Sequence, residues 1–558
     1  MRIAIVGGGP SGLFVFKRLV EAGRADVRVE IFERGGHLGQ GMPYSSEGAG
    51  GEHITNVSGN ELPELVVPLA DWVRDLTPEK LDQYGIRRES FHEEKVLPRL
   101  LFGEYLEVQF GALRRLAAEA GMETLVHYNC SVTDLRDLPE SNQVEVVVEG
   151  TEPQRFDRVV ICSGHHWPRK HEGQVPGYFD SPYPPAKLAR CFDHPVALRG
   201  SSLTAVDAIR TLARHNGRFL ATGYEKTSPN FRIVMHTRNG LLPCVRFHLE
   251  DPQVTRVDLL TDQDIESIRK GHHGFVPLDL VFQEYFKKLL SERDPDLYER
   301  IRDLSLEEFV SAAMAPRENA DPFAYFEAEY QESLQSLAQR ESIPWKETLA
   351  VLSYALNYPA KYFCAEDMLR LREVLAPLIS IVIAFIPQSS SQELLALHAA
   401  GCLQLVAVGE GSRVKVNARG QIIYHYDDQD HIFETFVDCV GQPHLPLKAF
   451  PFKGLIDQKV VRQARLTFLS QERARQQFEK DPDSVEQDED GSYHLIVPGI
   501  AINDAFQPID WQRRPNQRIQ IMAVPYIGGH NPDYSGLDFC EEASRRIVEA
   551  LQKPEGLA

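Results

Sequence analysis

The chain opens on an apolar run that breaks into glycines: Ile3, Ala4, Ile5 and Val6 lead directly to Gly7, Gly9 and Gly12. This spacing belongs to a strand–turn–helix unit that holds the pyrophosphate of a dinucleotide. The first glycine makes the tight turn, and the second lets backbone approach the phosphates. The third lets the following helix, with its positive N-terminus, pack closely on the strand. Pro10 and Ser11 lie inside the same turn. Residues 13–22 read as the helix and residues 27–32 as a second strand ending at Glu33. That carboxylate falls about 20 residues beyond the last glycine, where an acidic side chain accepts hydrogen bonds from an adenosine ribose. A chain that begins this way is committed to a doubly wound parallel sheet.

A second unit of the same design begins near residue 195. Residues 195–198 form a short strand, Gly200 opens the turn, and residues 206–214 carry Val206, Ile209 and Leu212 on one helical stripe. Ser202 and Ala205 stand where the second and third glycines would be, and Thr204 lies between them. Both replacements are small enough for backbone approach and helix packing. The next strand, residues 231–235, leads to Arg238 where the first unit ends in a carboxylate. A cation at that corner suits a 2′-phosphate, so the expected ligand of this unit is NADPH. Residues 156–164, ending at Gly164, and residues 436–441 each read as a strand running into a small-residue turn beside a cofactor.

A chain of 558 residues exceeds what one hydrophobic core supports. The expected fold is α/β, with two Rossmann-like dinucleotide-binding domains and a mainly helical insertion. The first domain covers residues 1–168. The second covers 195–243 and 376–445, the insertion 244–375, and the first domain resumes over 446–558. Residues 379–387 are expected to be a strand, followed by a helix over 391–400, a strand over 403–408 and a hairpin over 413–427. Helical periodicity marks 278–290, 323–337 and 347–356 within the insertion. Near the end come a strand over 518–524, a glycine loop over 528–531 and an amphipathic helix over 539–551. Residues 471–491 read as a solvated helix and loop.

A formal net charge of −20 at pH 7 argues against nucleic acid or an anionic membrane surface as a partner. The apolar stretch 374–387 is too short to span a bilayer, and the N-terminal apolar run is consumed by the nucleotide motif, so a cytoplasmic chain is expected. The eight cysteines are scattered, with no C-x-x-C pair and no zinc-ribbon spacing. His165–His166 and His272–His273 are adjacent pairs whose members diverge on a strand, and no metal site is expected.

The chain resembles the FAD/NAD(P)-binding proteins related to the class B flavin monooxygenases, a group that includes N-hydroxylating enzymes. The likeness is carried by the first glycine turn, Glu33 and residues 41–44, 53–57, 98–105, 159–164 and 200–207. It is close over residues 1–240 and follows in outline beyond. The resemblance implies FAD in the first site, with Arg34 and Val132 among the residues around it. It implies Arg99 near the FAD pyrophosphate and Asn56 near the flavin ring. The residue before the closing helix, Asp538 first and Asp533 second, is expected to hold the ribityl chain. His530, in the glycine loop, is expected beside the flavin as a catalytic group. The Baeyer–Villiger fingerprint histidine is missing, since residues 177–184 contain none. The implied activity is therefore NADPH-dependent oxygenation of a small polar amine or amino acid by O2, through a flavin hydroperoxide. A flavin reductase without oxygen insertion and a flavin-binding redox sensor or partner protein are the alternatives.

Overall fold

The computed structural model describes residues 1–552 except 166, 253–259, 443, 530 and 533–535. Its first sheet has five strands in the order Ile519–Ile521, Arg158–Ile161, Arg2–Val6, Arg28–Phe32 and Glu123–His127, all parallel. Ile3, Ala4, Ile5, Val159, Val160 and Ile161 are sealed from solvent, as strands covered on both faces must be. The helix Pro10–Glu21 starts on Gly9 with proline in its first turn, where a missing N–H costs nothing. The closing helix Leu537–Gln552 shares one core with it, so the last strand and last helix of the chain complete the first domain. A three-stranded antiparallel meander, Val132–Leu138, Gln143–Val148 and Gln154–Phe156, precedes the return strand Arg158–Ile161.

The second sheet repeats this plan. Its parallel order is Tyr178–Phe179, Thr435–Asp438, Pro195–Arg199, Arg232–Thr237 and Leu403–Ala407. Another antiparallel meander, Arg413–Val416, Ile422–Tyr426 and Gln429–Phe433, again precedes the return strand.

The expected strand over 379–387 is not formed. Ala376–Val382 is a helix, and only Ile386 makes a bridge, to Val245. Leu378, Ile379 and Val382 turn inward at helical spacing into the core of the middle domain, and Pro377 is tolerated in the helix's first turn. Burial against helices decided a stretch whose apolar composition alone fits either state.

The middle domain is built from helices including Asp262–Gly271, Leu306–Glu318, Pro322–Gln339 and Pro344–Leu356. Its core joins Phe282, Phe286, Phe309, Leu349 and Leu352 to Leu466, Leu495 and Val497. The latter three come from an antiparallel sheet ordered Gln463–Thr467, Tyr493–Ile500, Val485–Gln487. Residues after 446 therefore serve two bodies: 463–497 close the helical core, and 519–552 return to the first domain.

Phe286 is fully buried, stacked on Phe282 at 5.2 Å and set against Phe309 at 4.6 Å. Phe286→Ala is expected to cost about 3–5 kcal/mol, read as a lower urea midpoint for loss of the helical signal. An unmoved midpoint would contradict this ring's place in a cooperative core.

Candidate cofactor sites

At the first turn, Gly7 adopts φ +109°, and a Cβ there would lie 2.6 Å from the Cys162 carbonyl oxygen. A Cβ on Gly12 would lie 2.2 Å from the Gly7 oxygen, so the helix sits against the turn at backbone distance. Gly9 faces Gly41, whose Cα is 3.2 Å from the place of its missing Cβ. No side chain caps the helix and no acidic residue occupies its first turn, which leaves its N-terminal amides to an anion. Glu33 lies across the mouth of the turn, accepting from the Gly8 amide at 2.8 Å and the Gly35 amide at 2.7 Å. Arg34 is exposed and pairs with Glu47 at 2.5 Å. Val132 opens the meander, and Gly164 follows Cys162 in the return turn with open space beside it.

Two buried oxygens in this region have no hydrogen-bond partner among the described residues: Ser163 Oγ and Asp538 Oδ1. Asp538 lies in the first turn of the closing helix. Burial, with Glu61 and Glu541 nearby, pushes its carboxyl up to about 8. An orphaned carboxyl at a helix start is costly unless a hydroxylated ligand meets it. Together with the glycine cradle it fits the ribityl chain of a flavin dinucleotide.

Arg99 is tied to the second domain, and the Asn56 backbone meets Arg246. Arg99 Nε donates to the Ile54 carbonyl at 3.0 Å, and its Nη1 pairs with Asp207 at 2.5 Å. Asp207 belongs to the first helix of the second nucleotide domain and also accepts from the Tyr183 hydroxyl at 2.6 Å. Burial holds that phenol well above its ordinary range. Asn56 lies on the strand Ile54–Ser58, and its carbonyl accepts from Arg246. His53 adds a second tie between the domains. Its Nδ1 accepts from the Gly50 amide at 2.9 Å, so Nε2 carries the proton toward the Asp207 carbonyl and the Thr211 hydroxyl, each at 3.1 Å. Burial lowers its pKa and keeps it neutral. His53, Tyr183, Asp207 and Thr211 escape sequence reasoning because no local spacing relates residues so far apart. His530 and Asp533 lie outside the described residues.

The second turn superposes on the first in its bonding. Gly200 has φ +111°, and a Cβ there would lie 2.8 Å from the Cys439 oxygen, as Gly7 meets Cys162. Its amide donates to the His236 carbonyl at 2.8 Å, just as Gly7 donates to Phe32 at 2.9 Å. This register sets Thr237 opposite Glu33 and Arg238 opposite Arg34. The ribose corner thus holds a hydroxyl, which accepts from the Gly240 amide at 2.9 Å, and no carboxylate. Arg238 next to it is exposed, and its guanidinium has no partner among the described residues. Ser202 precedes the helix Leu203–His215 without capping it, and Thr204 lies beside the Gly441 turn. His236 occupies the place of Phe32 and packs on Tyr424 at 4.5 Å; burial pushes its pKa down to about 4. Among the described residues no three His, Cys, Asp or Glu side chains group to hold a metal ion, and no helix is long and apolar enough to cross a membrane.

With this geometry in place, residues 4–166 match the FAD-NAD(P)-binding family and residues 261–383 match the YdhS-like middle domain. The chain is 28% identical to the uncharacterized protein YdhS of Escherichia coli (strain K12), over 100% of this chain and 98% of that protein. Among solved structures it is similar to DfoA bound to FAD, a cadaverine monooxygenase of desferrioxamine biosynthesis from Erwinia amylovora. The identity is 12%, the coverage 99% of this chain and 94% of that one, and the TM-score 0.42. NbtG, a lysine monooxygenase from Nocardia farcinica, gives 12% identity over 98% of both chains with a TM-score of 0.40. The chain thus carries the pattern of an FAD-NAD(P)-binding domain joined to a middle domain of the YdhS-like kind.

Proposed function

We propose that this chain is an FAD- and NADPH-dependent monooxygenase that N-hydroxylates a small polar amine or amino acid with O2. The observation that carries the reading is the pair of like-built glycine turns with unlike ends. One closes on a carboxylate, the other on Thr237 and an exposed Arg238. Flavin, when bound, supplies hydride acceptance and oxygen activation. The protein's part is to bind, orient and exclude water. Gly7, Gly9 and Gly12 bring backbone amides and a helix N-terminus to the FAD pyrophosphate, and Glu33 accepts from its ribose. Asp538 supplies the ribityl contact, and Asn56 and His530 are the catalytic groups that the family resemblance assigns. Gly200, Ser202 and Thr204 receive the pyrophosphate of the reductant, and Arg238 receives its 2′-phosphate.

The direct test reduces the purified protein with NADPH under anaerobic conditions, then admits oxygen with a panel of amines. Hydroxylamine formed in step with NADPH consumed supports the reading. Hydrogen peroxide alone, whatever amine is present, makes the protein a reductase, and absence of reduction leaves a sensor.

Three variants follow from the site. Gly9→Val crowds Gly41 and the space above the turn, so the folded variant is expected to lose its flavin on gel filtration; full occupancy would refute the site. Arg238→Ala removes a charge-assisted contact worth about 1.5–3 kcal/mol. Stopped-flow flavin reduction should then show a roughly tenfold to hundredfold weaker affinity for NADPH and little change for NADH. Equal losses with both reductants would make Arg238 a surface charge. The third variant concerns Asp538, whose folded pKa is raised to about 8. Its contribution to stability is full below the unfolded value of about 4 and is lost as pH rises to about 8. Asp538→Asn has nothing to ionise, so the flavin-free variant should melt above the flavin-free wild type at pH 8, with the gap narrowing toward pH 5. Parallel curves would show that this carboxyl titrates normally.

A further inference from the structure

A solvent-open cleft lies between the middle domain and the closing helix of the first domain. Its apolar wall is Ile502, Phe506, Phe539 and Ala543, and its far wall is the end of the helix Pro344–Leu356. Asn531, the last residue of the glycine loop, also lines it. Two cations and two carboxylates face it, and the four are not equivalent.

The carboxylates already have cationic partners. Asp504 pairs with Lys361 Nζ at 2.5 Å and accepts from the Tyr362 hydroxyl at 2.7 Å. Glu542 accepts from Arg545 Nε at 2.9 Å, from Arg545 Nη2 at 2.7 Å and from Arg546 Nε at 2.6 Å. The cations retain donors. Lys361 gives one further bond, to the Tyr358 carbonyl at 3.0 Å, which leaves one of its three hydrogens. The Arg546 guanidinium carbon is 3.6 Å from the centre of the Tyr358 ring, and beyond Glu542 the nearest carboxylate to its Nη atoms is Asp262 at 3.8 Å. An incoming ammonium would meet Asp504 Oδ1, which has no hydrogen-bond partner among the described residues, only beside the Lys361 ammonium 2.5 Å away. An incoming anion breaks no ion pair. Burial also lowers the pKa of Lys361, and an added negative charge would offset that penalty.

We infer that this cleft binds a small organic anion, a carboxylate on an apolar or aromatic body, with the body against Phe506 and Phe539 and the carboxylate on Arg546 and Lys361. The anion gains charge-assisted hydrogen bonds beside an apolar wall, and the rings supply the contact area. The cleft adjoins the helix that carries Asp538 at its start, so the occupant lies on the far side of that helix's first turns.

The test uses the purified full chain and calorimetry, which needs neither flavin nor turnover, so failure of the oxygenase reading leaves it intact. The probes are phenylacetate, benzylamine and benzyl alcohol, which share a ring and differ in charge. Phenylacetate is expected to bind at least about tenfold more tightly than the alcohol, with benzylamine the weakest. Arg546→Met should weaken phenylacetate about tenfold or more and leave the alcohol nearly unchanged. Asn503→Asp is the gentler variant. The Asn503 side-chain oxygen accepts from the Ala505 and Gln507 amides, a turn aspartate also makes, so the change adds a negative charge to the cleft and gives up only the bond its amide donates to Gln507 Oε1 at 2.8 Å. It too should weaken phenylacetate selectively. Benzylamine binding as well as phenylacetate, no binding by any probe, or phenylacetate affinity unchanged in both variants would overturn the inference.

Discussion

The contact on which both nucleotide domains depend is a backbone-to-backbone approach at the start of each. Gly7 lies against the Cys162 carbonyl and Gly200 against the Cys439 carbonyl, at distances that admit no Cβ. Each contact ties the first strand's exit to the return strand's exit, which holds the turn open above the sheet and aims the next helix. Positive φ at both glycines is what allows it. The meander that precedes each return strand, and the aromatic packing of Phe32 and His236 under it, are arranged around that fixed point.

Between the domains the governing element is ionic. Arg99 and Asp207 are both largely buried, and Tyr183 and His53 complete their hydrogen bonding. Removing one partner of such a pair leaves an uncompensated charge and costs about 3–5 kcal/mol. The pair therefore fixes how the second domain sits on the first, and it does so with a residue that family likeness would assign to the cofactor.

The glycine turns, Glu33, the repeated strand–turn–helix plan and the helices of the insertion were legible in the sequence because each is written in local spacing. Three features were not. The stretch 379–387 carries an apolar run compatible with strand or helix, and only the helical core it meets decides between them. The position opposite Glu33 in the second domain is Thr237, one residue before the arginine the sequence singles out, because strand register is set by hydrogen bonds that a linear reading cannot count. The committed state of Arg99 depends on Asp207, 108 positions away.

The middle helices share their core with Leu466, Leu495 and Val497, strands that arrive only after the chain has finished the second nucleotide domain. A border drawn by sequence similarity at residue 383 thus cuts through a single hydrophobic body. During synthesis, the helices emerge with one apolar face uncovered and keep it so until the later strands leave the ribosome. The insertion is in this sense not a module: it cannot be grafted, excised or exchanged between relatives without carrying its distant lid along.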